Sequence, residues 1–486
     1  MRRMTKGIAP LVALALVAAA CGGDDDTADE PSEEPAEEPT EEPADEPSEE
    51  PADEPSEEPA EEPSEQPADE PSEEPMEPAE EIIFDYGVTE DTIRIGLNAD
   101  LSGIFAPLVT QIVDGQEAYW EIVNDNGGIA GKQVELVIID NAYDVPTHLE
   151  NYEEMAEESD QGVAMFSQST GSPHTAATAD ALVEDNLLAI PLSWYSGWAD
   201  PAIGQNVIEL QATYCIESMN AVEFLAGENG VQTIAIISFP GEYGQDGAQG
   251  AKIAAEALGL EVVYDGEGAV VPGSDQTPVI TELVEANPDM VWATINPTTL
   301  AEIFGGAYAQ GLRAIWSGNS PTYNYQLLAT EIGPALDELY HYSTYSALWG
   351  AIDTPGMTAV IEGMREKRPD SPLSDQYIRS WIEAGTAHQL LEAAASRGDL
   401  TRAGVVAAFN DGFTADYAGL APSQSWAGQP NDIIVRESYI YDVVVSDFTP
   451  GATVSDEGGT GFELEAGPYV GEVAGNYDFQ EACFTG

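Results

Sequence analysis

The chain has 486 residues, of which 43% are hydrophobic and 8% aromatic. That is enough for a sizeable core spread over one to three domains. Only 14 Lys or Arg stand against 89 Asp or Glu, a formal charge of −75. Such a field excludes nucleic acid and anionic lipid surfaces as partners.

Arg2, Arg3 and Lys6 precede an apolar run from Ile8 to Ala20. This is the pattern of a secretory signal, too short for an ordinary spanning helix. It closes on Ala18-Ala19-Ala20-Cys21-Gly22-Gly23, which resembles a bacterial lipoprotein cleavage site, with residues 1–21 as the signal and Cys21 as the lipidated first residue of the mature chain. Ala18 stands where such sites usually carry Leu. Ordinary signal cleavage with an incidental cysteine is the alternative.

Residues 22–81 hold 29 of the acids and no base. From Pro31 to Glu74 they run in units such as PSEE, PAEE and PADE. Proline at every fourth place removes a backbone donor, neighbouring carboxylates repel, and nothing larger than alanine is offered to a core. The expectation is an unfolded, extended tether reaching roughly 150 Å at ~3.1 Å per residue. It would lift a domain comprising residues 82–486 off a membrane. A tail for a basic partner is the competing use.

From Ile93 the sequence alternates short β-rich runs with amphipathic helices. Ile93–Leu97 reads as a strand and Pro107–Asn126 as a helix, ended by Gly127-Gly128. Val134–Ile139, Val163–Phe166 and Leu187–Pro191 read as strands, with a helix over Pro173–Asp185. The rhythm restarts with a helix at Ile216–Ala226. Strands at Thr233–Ile237, Leu260–Tyr264, Met290–Ala293 and Ala314–Trp316 then alternate with helices at Gly244–Leu258, Pro278–Ala286 and Thr298–Ala309. Helices follow at Gly356–Lys367, Asp375–Arg397 and Arg402–Asn410, and strands return at Ile433–Val435 and Tyr439–Val445. Two successive βα sets predict an α/β protein of two doubly wound, Rossmann-like lobes joined by a hinge. The late strands predict repeated crossing: lobe 1 about 88–213 and 343–435, lobe 2 about 214–342 and 436–486.

Open parallel sheets bind ligands at the carboxyl ends of their strands. The loops there are Ser102–Phe105, Ser167–Ser172 and Ser193–Ser196 in the first set. In the second they are Phe239–Tyr243, Asn296–Thr299 and Ser317–Ser320 with Tyr323. They carry hydroxyls, amides and aromatics and few charges, which suits a small molecule; turns favour Ser, Asn and Gly in any case. Ser172-Pro173 and Ser320-Pro321 fit helix starts whose free N–H groups would hold a carboxylate, or serines that only cap. Cys215 and Cys483 form either a disulfide or two unrelated buried thiols. No GxSxG, HExxH or CxxC occurs, and His148, His174, His341 and His388 suggest no metal cluster; His174 lies near the proposed site. No enzyme activity, metal or cofactor is expected.

Val88–Gly103 (VTEDTIRIGLNADLSG), Glu121–Lys132 (EIVNDNGGIAGK), Val134–Leu136 and Asp140 are similar to the leucine/isoleucine/valine-type substrate-binding proteins of ABC importers. Gly241–Gly244 and Gly311–Arg313 extend the likeness over about residues 88–445. The resemblance implies a two-lobed clamp of the type I periplasmic-binding-protein fold, monomeric and extracytoplasmic, which closes on an amino acid and docks on an ABC permease. It implies a carboxylate held by Ser169, Thr170, Gly171, Ser172, Ser193, Trp194 and Tyr195, with Ser102 nearby and Tyr243 and Asn296 in the second lobe. The family's amine-binding acid falls on Ser320, beside Asn319, and a second-lobe tyrosine falls on Asn296. Glu242 is a substitute for the acid; an amide, urea or a small organic acid is an alternative ligand. A sensory domain of the same fold, a secreted enzyme and a surface adhesin are rival readings.

Overall fold

The computed structural model describes residues 82–486; the expected signal, Cys21 and the tether lie outside them. The first lobe is built from β1 (Thr92–Ala99), α1 (Ala106–Asp125), β2 (Gln133–Asp140), α2 (Val145–Ala156), β3 (Met165–Thr170), α3 (Ser172–Glu184) and β4 (Ala189–Leu192). Its sheet is wholly parallel in the order β2-β1-β3-β4, with Ile95 of β1 beside Leu136 on one side and Met165 on the other. Strand β1 sets Ile93, Ile95 and Leu97, all fully buried, between Arg94, Gly96 and Asn98, and every residue of β3 is buried beneath the covering helices.

Helix α2 has no counterpart in the sequence expectations. Its buried face is His148, Asn151, Tyr152 and Met155, too polar to show an apolar stripe. Its start is nevertheless written locally: the Asp144 side chain accepts from Thr147 N, and Pro146 occupies the first turn.

The second lobe repeats the plan with α4 (Tyr214–Asn229), β5 (Thr233–Ser238), α5 (Gly241–Leu258), β6 (Glu261–Gly266), α6 (Thr277–Ala286), β7 (Met290–Thr294), α7 (Pro297–Ala309) and β8 (Ile315–Gly318). Its parallel sheet has the corresponding order, β6-β5-β7-β8. Beyond it come α8 (Gly333–Leu339) and β9 (His341–Thr344). Helices α9 (Pro355–Lys367), α10 (Gln376–Ser396) and α11 (Arg402–Asn410) follow, then β10 (Ser438–Phe448) and β11 (Thr460–Tyr469). Strands β9, β10 and β11 form an antiparallel sheet.

The late elements divide between the lobes. Helix α10 lies against α1 so closely that a Cβ on Gly115 would come within 2.0 Å of Ser380 Oγ. Gln116 Nε2 donates to Glu383 Oε2 at 2.8 Å, and Arg368 pairs with Asp114 and Glu121. Strand β10 instead belongs with α4, whose Asn220 Nδ2 donates to Arg436 O and Ser438 Oγ. The expected strand at Ile433–Val435 is not one. Pro430–Ile433 is a helical turn closed by a Gln429/Asp432 capping box, and Val435 makes only a lone bridge to Ala212. Cys215, at the start of α4, is joined to Cys483 by a disulfide, Cα to Cα 6.4 Å.

Candidate ligand-binding site

Between the carboxyl ends of the two parallel sheets lies a cavity of ≈ 420 Å³, counting the solvent at its open mouth. In the first lobe, Asp100 shapes its rim. The carboxylate accepts from Gly103 N and Phe105 N, which turns Phe105 inward beside Leu108, Val109 and Ile112 of α1. Thr170, Gly171 and Ser172 form the next stretch of wall, followed by Leu192, Trp194 and Tyr143. Gly171 has φ 104°, a conformation glycine adopts without strain, and leads directly into α3. From the second lobe come Tyr214, Tyr243 and Pro321, and from α10 comes Arg379.

Several expected site residues do other work. Gly171, not Ser172, is the residue before α3, and no side chain caps that helix. Ser172 Oγ is bonded to Ser193 Oγ at 2.7 Å, and Ser193 also accepts from Trp198 Nε1. Ser193 therefore sits behind the wall. Ser169 is buried against His148 and Thr175. Ser102 is exposed and donates to Asp140. Tyr195 donates to Phe484 O in the C-terminal tail. His174 lies under the Tyr143 ring, 4.4 Å between centroids, and does not line the cavity.

The second lobe departs further. Tyr243 lines the cavity with its ring, but its hydroxyl donates to Ile295 O and meets Thr322 Oγ1. Asn296 caps α7 through Thr299 N and donates across the cleft to Ile104 O at 3.1 Å. Asn319 accepts from Thr294 Oγ1 and donates to Tyr214 O and Glu217 Oε2. Ser320 N donates to Glu217 Oε1 and its carbonyl accepts from Tyr342 OH. Ser320–Thr322 is a short 3-10 turn, so the helix start expected there is absent. Glu242 is half-buried and does not line the cavity.

Two buried ionisable residues escaped the sequence reading. Arg379 is 3% exposed, yet forms part of the cavity wall. Its guanidinium donates to Gln376 Oε1 at 2.7 Å and to Tyr342 OH at 2.6 Å, and lies 5.9 Å and 5.5 Å from the Trp194 and Tyr345 ring centres. Glu217 is fully buried. Burial pushes its carboxyl up to about 8, against the hydrogen bond from Asn319 and the positive charge of Arg379. A usable signal existed for Arg379: it is one of 14 bases in the chain, set among Tyr377, Ile378, Trp381 and Ile382. Among the described residues, no His, Cys, Asp and Glu group is arranged to hold a metal, and no helix is long and apolar enough to cross a membrane.

A family model described as periplasmic binding protein matches residues 92–447. The chain belongs to the periplasmic binding protein family. Residues 26–65 match a second model, a PT disordered repeat. Among solved structures, a fatty acid ABC transporter substrate-binding protein from Thermomonospora curvata is 27% identical, with TM-score 0.73, covering 82% of this chain and 97% of that one. A branched-chain amino acid ABC transporter protein from Thermus thermophilus with bound valine is 18% identical, with TM-score 0.67, covering 80% and 98%. A solute-binding protein from Rhodopseudomonas palustris HaA2 in complex with p-hydroxybenzoic acid is 18% identical, with TM-score 0.61, covering 75% and 95%. Curated protein sequences give no match. As a periplasmic binding protein, the chain has the type I fold, is extracytoplasmic, and is a transporter's binding component rather than an enzyme. Proteins of this fold bind small molecules and deliver them to ABC permeases.

Proposed function

We propose that this chain is a monomeric, membrane-anchored receptor that captures a small amphipathic solute between its lobes and hands it to an ABC permease. Lipidated Cys21 would hold it to the outer face of the membrane, and residues 22–81 would carry the domain away from that face. The lobes would be residues 88–213 with 343–435, and 214–342 with 436–486.

The observation that carries this reading is the interlobe cavity, walled from both lobes by aliphatic and aromatic side chains. Such walls favour a solute with a substantial apolar body. Urea and short amides offer no surface to match Phe105, Ile112, Leu192 and Trp194. A fatty acid, valine and hydroxybenzoic acid, named for the structural neighbours, share a carboxyl group on an apolar body. That leaves two of the expected classes, an amino acid and an organic acid.

The test is a calorimetric titration of the full-length protein with leucine, phenylalanine, 4-hydroxybenzoate, medium-chain fatty acids and urea. At least one amphipathic solute should bind and stabilise the fold by about 2.7 kcal/mol at a hundredfold excess over Kd. Binding of urea alone, or of no solute, would contradict the reading.

A further inference from the structure

Buried charges in folded proteins are ordinarily paired, because removing an ion from water is expensive unless a counter-charge replaces the solvent. Arg379 is an exception. Its two hydrogen-bond acceptors, Gln376 and Tyr342, are neutral. Among the described residues no carboxylate lies within salt-bridge distance of it.

The nearby acids are engaged elsewhere. Glu217 is held by Asn319 and Ser320, Asp375 by Trp349 N and Thr460 Oγ1, and Glu383 by Gln116 through Oε2, with Oε1 unbonded yet outside salt-bridge reach of Arg379. Burial raises all three, Glu217 to about 8, Asp375 to about 6, and Glu383 well above its ordinary value. Each is therefore a weaker counter-charge than an exposed carboxylate would be. The cavity wall itself contains no Asp or Glu. It does contain two further buried polar groups without partners, Trp194 Nε1 and Thr170 Oγ1.

A zwitterionic amino acid needs an acceptor for its ammonium as well as a donor for its carboxylate. This wall supplies a fixed cation and no anion. We infer that Arg379 is the anchor for the ligand's carboxylate, and that the solute is a carboxylic acid with an aliphatic or aromatic body and no α-ammonium group. The planar guanidinium fork matches a carboxylate in two parallel hydrogen bonds. The apolar body lies against Phe105, Val109, Ile112 and Leu192. This rests on the receptor reading and narrows its solute class.

Matched probes test it. The full-length protein is titrated with 4-methylpentanoate against leucine and against 4-methylpentanamide, and with 3-phenylpropanoate against phenylalanine and against 3-phenylpropanamide. Octanoate and octanamide extend the range. The acids should bind at least about tenfold more tightly than their amino-acid and amide counterparts, the size of one charge-assisted contact. Arg379→Met should bring acid and amide within about threefold of each other while leaving the unliganded Tm equal or higher, because it removes an unpaired buried charge. Arg379→Lys keeps the charge without the fork and should retain an intermediate preference. Tighter binding of the amino acids, equal binding of acid and amide, or an undiminished preference in Arg379→Met would overturn the inference. If amino acids or amides bind and no acid does, the inference falls and the receptor reading stands. If no probe of any kind binds, both fall.

Discussion

The two lobes share one strand order, 2-1-3-4, and one rule for where loops collect, yet they use their polar loops differently. In the first lobe, the loops after β3 and β4 bring Thr170, Gly171, Ser172 and Trp194 into the cavity wall. In the second, the corresponding polar side chains are spent on internal bracing. Asn319 and the backbone of Ser320 hold Glu217, and Asn296 caps α7 while reaching Ile104. What that lobe shows the cavity is mostly ring and hydrocarbon: Tyr214, Tyr243 and Pro321. The same topology therefore gives the cavity a wall with free polar groups on one side and a mostly apolar wall on the other.

Breaking the fastenings of the second lobe should affect stability most. Replacing both Cys215 and Cys483 with serine opens a link 268 residues apart in sequence. It should lower stability by about 4 kcal/mol, measured by denaturant unfolding under non-reducing conditions. Next comes Glu217→Ala, which leaves Ser320 N without its acceptor and Asn319 Nδ2 with Tyr214 O alone. It should lower stability by about 3 kcal/mol, whereas Glu217→Gln, which keeps one acceptor but turns its NH2 toward a donor, should lower it by an intermediate amount of about 1.5 kcal/mol near pH 7.

The buried acids also set a pH dependence. Burial raises Glu217 to about 8, Asp246 to about 7 and Asp375 to about 6. The folded state then holds protons that the unfolded chain has released, so stability must fall as pH rises toward these values. A loss of about 5 kcal/mol between pH 5.5 and 8 is expected, and Glu217→Gln should flatten its upper part. A Tm that stays level or rises over that range would contradict the assignment.

The smallest expected effect sharpens the comparison from the first-lobe side. Thr170→Val removes an unpartnered hydroxyl from the wall with little change in shape. It should weaken solute binding by about fivefold, about 1 kcal/mol, and leave Tm unchanged or slightly higher. Equal affinity would place Thr170 outside the contact.

Much of the fold was legible because short β-rich stretches alternate with longer amphipathic ones, and several helices, α4 and α5 among them, stop on glycine. The exceptions have local causes. The buried face of α2 is polar, β9 is only four residues long, and β11 is broken up by Gly461, Gly467 and Pro468. The site was half legible. The strand-end rule finds Thr170–Ser172 and Trp194 in the cavity wall, but Ser193 and Tyr195 of the same loops turn away from it. It also proposes Asn319 and Ser320, since residue type does not reveal that a neighbouring helix has buried a glutamate against them. Arg379 lies outside the rule altogether: it comes from α10, a helix that returns to the first lobe after the second is complete. Only its isolation as a base in an apolar helix marks it.

In the proposed clamp, one solute draws the two lobes together over the cavity. Spin labels at Glu158→Cys in the first lobe and Glu282→Cys in the second, both exposed positions, report that distance directly with the Cys215–Cys483 bridge left intact. With a saturating carboxylate probe the distribution should collapse to a single short distance; without it, a longer and broader population should appear. A distribution that is the same with and without bound solute would contradict the clamp.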